Sequence, residues 1–123
     1  MSRANAIHAY RQSARPVLQG RGAEAHAFAK AANLLEDARH ATGDAALLIQ
    51  ALRFNRLLWT VIQAELSAPG NSLPATLRAD LISLSLFVDR QTARALGDAD
   101  PRHLVPLIEV DRAIVQGQLA EAA

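Results

Sequence analysis

Apolar residues recur every three or four positions through most of this 123-residue chain, and β-branched residues never alternate with polar ones over a strand's length. Such a chain must fold as helices that each hide one face, and it offers no segment from which to build a sheet. Proline and glycine punctuate the pattern. Pro16, Gly20 and Gly22 separate a short opening helix over about 3–14 from a second helix near 23–41. Gly43 followed by Asp44 reads as a C′ glycine and then an N-cap, which starts a helix over 45–67. Pro69-Gly70-Asn71-Ser72 is a turn, and Pro74 sits where a first-turn proline is tolerated. The next helix covers about 75–96 and stops at Gly97. Asp100-Pro101 repeats the cap-plus-proline signature, and a last helix continues toward 119. No repeat or linker interrupts this order. The expectation is one all-α domain over 1–123, a helical bundle of four main helices with a short N-terminal helix attached.

Composition narrows the possibilities further. A chain of this length buries roughly two-thirds of its unfolded surface, and an apolar half argues against wholesale disorder. The lack of cysteine removes disulfides, thiolate metal sites and thiol nucleophiles together, and suits a reducing compartment. No uninterrupted apolar run approaches the roughly 20 residues of a membrane crossing, so no membrane association is expected. The net charge of +1 weighs against holding nucleic acid by bulk electrostatics. That charge is unevenly spread, because Arg3, Arg11, Arg15 and Arg21 all precede the first acid, Glu24. The opening segment is Arg-rich, Ala-rich and acid-free, as organellar transit peptides also are. Lys30 is the single lysine, a bias that a GC-rich genome produces without functional pressure.

Helical spacing shows which faces need cover. In the 45–67 helix, Leu48, Leu52, Trp59, Ile62 and Leu66 fall on one stripe, and Leu47, Phe54, Leu58 and Val61 widen it to about half the circumference. Such a helix must be covered on two sides and is expected to be central. Asn55 and Glu65 lie inside that apolar arc. In the last helix Leu104, Leu107, Ile108, Ile114 and Val115 form the stripe, with Asp111 in its middle. A buried amide or carboxylate is costly without hydrogen bonds, so these groups need partners, for which Arg53, Arg56 and Arg90 are the candidates. Such contacts more often fix helix register than form a catalytic network. The 75–96 helix has two apolar faces. Leu77, Leu81, Leu84, Val88 and Ala95 make one, and Ala79, Ile82, Leu86 and Ala93 make the other, with Phe87 to one side. The second face either packs on the N-terminal helix or awaits a partner's amphipathic helix.

No constellation in the chain carries catalytic chemistry. His8, His26, His40 and His103 are scattered, and none is spaced i, i+4 from another. There is no nucleophile elbow or phosphate-cradling glycine loop. Aromatic residues are too few for base-stacking platforms. No catalytic residue, cofactor or metal is expected, and the chain reads as a non-enzymatic helical adaptor.

The stretch from Ala51 to Thr60, with Asn55-Arg56-Leu57-Leu58-Trp59 at its centre, continues to Gln63-Ala64-Glu65-Leu66. It resembles the N-R-x-L-W core and Q-x-E-L-like tail of the flagellar biosynthesis regulator FlaF family. Asn71-Ser72-Leu73-Pro74 resembles that family's turn, Leu77 to Ser85 its L-R-x-x-L-x-S-L-S segment, and Phe87-Val88-Asp89-Arg90 its F-V-D-R segment. Ala9-Tyr10 also fits. The chain departs from the pattern near 19–30, where it is richer in Gly and Ala.

The resemblance implies a cytoplasmic, non-enzymatic protein that binds flagellin as an export chaperone, promotes flagellin synthesis and secretion, and opposes the translation repressor FlbT. A flagellin chaperone must mask amphipathic terminal helices, which a helix-in-groove mode would do. On this reading Arg53, Asn55, Arg56, Trp59, Asp89 and Arg90 organise or line the groove, and Phe54, Ile82, Leu86 and Phe87 supply its apolar contacts. Trp59, central on its stripe, is expected as core filler before direct contact. The alternative is a post-transcriptional regulator acting on flagellin messenger RNA or its repressor. A third reading makes the second face of the 75–96 helix a self-association surface.

Overall fold

The computed structural model describes residues 21–122, which form four α-helices and one short 3-10 turn. The expected opening helix over 3–14 lies outside the described residues. Helix α1 runs Arg21–His40, α2 Ala45–Ser67, α3 Ala75–Asp98 and α4 Leu104–Ala122, with the 3-10 turn at Pro101–His103. No strand occurs among the described residues, so the all-α expectation holds. Short connections make successive helices antiparallel neighbours. Helix α1 packs against both α4 and α2, and α2 also packs against α3; the α3–α4 contact is the slightest of the four.

Local chemistry sets most of the helix ends. Asp44 caps α2 through its side chain, which accepts the Leu47 N–H at 3.0 Å. Gly43 lies in the turn beyond the end of α1 and adopts φ +88°, a conformation open to glycine at no steric cost. Between α2 and α3, Asn71 donates from its amide to the Glu65 carbonyl at 3.0 Å and accepts the Leu73 N–H at 3.0 Å. One side chain thus ends α2 and aims the chain toward α3. Asp100 caps the 3-10 turn by accepting the Arg102 N–H at 2.9 Å, with Pro101 in its first position.

Gly97 does not stop α3 as expected. The helix continues to Asp98, and Ala99 takes the left-handed conformation at φ 57°. The stop comes from side chains instead. Asp98 accepts the Asp100 N–H at 3.0 Å and lies 2.9 Å from His103 Nε2, which fixes the turn two residues later than glycine alone would place it.

The core is continuous across all four helices. Helix α1 buries Ala25, Phe28, Ala31, Ala32, Leu35 and Ala38. So many alanines on one face let its backbone approach α4 closely, which accounts for the extensive packing of this pair. Helix α4 contributes Leu104, Leu107, Ile108 and Ile114 as expected, and Val110 in addition. Helix α2 contributes Leu52, Trp59, Ile62 and Leu66, and Phe28 meets Trp59 edge-on with ring centroids 5.6 Å apart. Each fully buried aliphatic side chain contributes about 1.5–3 kcal/mol.

Helix α2 is flanked on two sides, by α1 and α3, but it is a corner of the bundle and not its axis. Its apolar arc is wider than its cover. Val61, expected in the covered arc, is exposed, and so are Ile49 and Leu57. By length and mean hydropathy α2 alone among the described residues would suffice to cross a membrane. Arg53 and Arg56 interrupt the apolar run, and the helix sits here with six residues buried in the bundle.

Candidate partner-binding surface

Among the described residues, three pairs of side chains hydrogen-bond between helices, and each pair includes one residue expected at the site. Asn55 and Trp59, one turn apart on α2, both reach Asp111 on α4. Trp59 Nε1 donates to Asp111 Oδ1 at 3.0 Å. With its amide nitrogen turned toward the carboxylate, Asn55 donates to Oδ2 at 2.5 Å and to Oδ1 at 3.1 Å. Asn55 and Asp111 are fully buried, and Trp59 nearly so. Burial pushes the Asp111 carboxyl up to about 8, against the lowering pull of the Trp59 N–H. When protonated, Asp111 can instead offer its hydroxyl to the Asn55 amide oxygen after an amide flip. The third bond joins α2 to α3, where Gln63 Nε2 donates to Asp89 Oδ2 at 2.9 Å.

The arginines do not serve the buried polar groups. Arg53, Arg56 and Arg90 are exposed, and no described residue hydrogen-bonds or ion-pairs with their guanidinium groups. The reason is angular, because each residue advances about 100° around a helix. Arg53 precedes Asn55 by two positions and Arg56 follows it by one, so Asn55 points inward and both guanidinium groups point away. Glu65, the remaining polar residue of the arc, is half-buried; its Oε2 is buried without a hydrogen-bond partner among the described residues. Desolvation raises its pKa.

The other expected site residues divide by exposure. Ile82 and Phe87 are half-buried against the core, whereas Leu86 is 46% exposed. Ala79 and Ala93 are exposed beside it, so no described residue covers this part of the second face of α3. Phe54 is half-buried, with Lys30 Nζ 4.9 Å from its ring centroid.

A shallow groove runs along the α2–α3 seam, lined by Ile49, Leu52, Arg53, Arg56, Thr92 and Leu96. Ile49 and Arg53 also line a second hollow beside it with Phe54 and Leu57, so the two are contiguous. Leu57 is 63% exposed and Leu96 48%. Sequence reasoning missed Ile49, Leu57 and Leu96 as surface residues, because an apolar residue on an amphipathic helix reads as core. A signal was present in the row Ile49, Arg53, Leu57, Val61, where an arginine sits at i+4 between apolar neighbours.

Among the described residues no cluster of His, Asp and Glu could hold a metal ion. His26 is exposed, and His40 lies 2.9 Å from Glu36 Oε1. The family model for the flagellar protein FlaF matches residues 6–118. No curated protein and no solved structure matches the chain. A match over nearly the whole length, together with family-like motif residues that form the bonds between helices, places this chain in the flagellar protein FlaF family.

Proposed function

We propose that this flagellar protein binds flagellin in the cytoplasm as a non-enzymatic export chaperone, promotes flagellin synthesis and secretion, and opposes the repressor FlbT. One observation carries the reading. Ile49, Leu57, Leu86 and Leu96 stand exposed on two adjacent helices whose inner faces are already buried in one continuous core. Surface of that kind on a small bundle suits a partner's amphipathic helix. Within this reading Asn55, Trp59 and Asp89 organise the surface by fixing α2 against α4 and α3. Arg53, Arg56 and Phe54 line it, and in this reading Leu86 and Arg90 meet the partner from the exposed side of α3.

Calorimetric titration of the purified chain with flagellin from the same organism, at low and high salt, tests this. A one-to-one complex that persists in high salt is expected, because apolar burial is little screened. No binding to flagellin, with steeply salt-dependent binding to flagellin messenger RNA, would move the function to translational control.

A further inference from the structure

We infer that the α2–α3 seam receives an acidic amphipathic helix, whose carboxylates pair with Arg53 and Arg56 while its apolar stripe covers Ile49, Leu57 and Leu96. This deepens the flagellin reading and rests on it only for the identity of the protein that carries the helix. Ile49, Arg53 and Arg56 recur at i, i+4 and i+7 on α2, which sets them in one row along the groove. Leu96 and Thr92 of α3 form the opposite wall. The α2 wall of the groove from Ile49 to Leu57 spans about 12 Å at 1.5 Å per residue, room for roughly two turns of a docked helix.

Charge selects the occupant. The guanidinium groups of Arg53 and Arg56 have no hydrogen-bond or ion-pair partner among the described residues, and they stand beside the exposed Leu57 and Leu96. Guanidinium forks match carboxylates in geometry and charge. The chain's own opening segment carries Arg3, Arg11 and Arg15 and no acid, so it would be repelled. A second copy docked about a two-fold axis through the seam would bring Arg53 and Arg56 against themselves. A nucleic acid backbone would satisfy the arginines but leave Leu57 and Leu96 uncovered. An acidic amphipathic helix satisfies both halves of the surface.

The test compares the full chain with its Arg53→Glu/Arg56→Glu variant. Both side chains are exposed, so the variant should keep its helicity and melting temperature, which circular dichroism checks. The first probe is purified flagellin. A loss of about 10-fold to 100-fold in affinity in the variant, with folding intact, supports the seam. Equal affinity overturns it while leaving the flagellin reading standing. If flagellin fails to bind even the unaltered chain, that reading falls and the seam is tested alone. The probes are then two synthetic 20-residue helices with identical leucine stripes, one bearing glutamates and the other lysines on the flanks. Preference for the glutamate peptide, abolished in the double variant, supports the inference. Indifference between the two peptides overturns it. Sedimentation of the chain alone supplies a further check, since a dimer broken by Leu57→Asp would assign the seam to a second copy.

Discussion

Trp59 and Asp111, 52 positions apart in sequence, meet in the core through a 3.0 Å hydrogen bond from the indole N–H to the carboxyl. With Asn55 on the same oxygens, this contact fixes the rotation of α2 against α4, two helices that otherwise touch little. The register of the bundle, and with it the direction in which Arg53, Arg56 and Leu57 face, depends on a polar contact at its centre.

Trp59→Phe keeps most of the ring and removes only the donor. It should destabilise the fold by about 1–3 kcal/mol, partly through the buried carboxyl that loses a partner. Urea denaturation measures this. Trp59→Ala, which also empties the ring's volume, should cost more, about 3–5 kcal/mol.

Asp111 makes stability depend on pH. Burial raises its folded-state pKa to about 8, above the ordinary value of 3.8, so the folded chain holds this proton more tightly than the unfolded chain. Between those values the unfolded state binds fewer protons, and stability falls as pH rises. The Asn55 amide, by donating to the ionised form, moderates the fall, and a loss of roughly 2–5 kcal/mol between pH 4 and pH 8 is expected. Glu65, whose pKa is also raised by desolvation, acts in the same direction. Asp111→Asn, which mimics the protonated acid, should flatten most of this slope in melts taken across the range.

Ala99 carries a left-handed backbone that costs an alanine about 1 kcal/mol. Ala99→Gly should therefore stabilise the chain, by about 0.5–1 kcal/mol after the added freedom of the unfolded state is subtracted. A rise of a few degrees in Tm is the expected signature.

Leu86 and Ile82 should respond differently to the same change. Leu86→Ser, on an exposed side chain, should alter stability by less than about 0.5 kcal/mol. Ile82→Ser should cost about 1–3 kcal/mol, since Ile82 packs on the core. Chemical denaturation of both variants separates the two halves of what the spacing presents as one face.

Much of this was legible in the residues. Helical periodicity and the caps at Asp44 and Asp100 place the helices to within a few positions, because each cap is a local bond between near neighbours. That Asn55 and Asp111 need partners follows from their apolar surroundings. That they partner each other does not, since it depends on how α2 is rotated against α4. Charge pointed to Arg53, Arg56 and Arg90 instead, yet all three lie on the outward side of their helices. The exposed leucines were hidden for a related reason. Leu57 and Leu52 are the same residue type on the same helix, and only the width of the cover supplied by α1 and α3 tells them apart.

The most direct test of the account places a photo-reactive benzophenone side chain at Leu57 or Leu96 and, as a control, at Asn33 on the exposed surface of α1. Each purified, folded variant is irradiated with purified flagellin. The account predicts a covalent one-to-one adduct from positions 57 and 96 and none from 33. Adducts from 33 alone, or from none of the three while flagellin is bound, would contradict it.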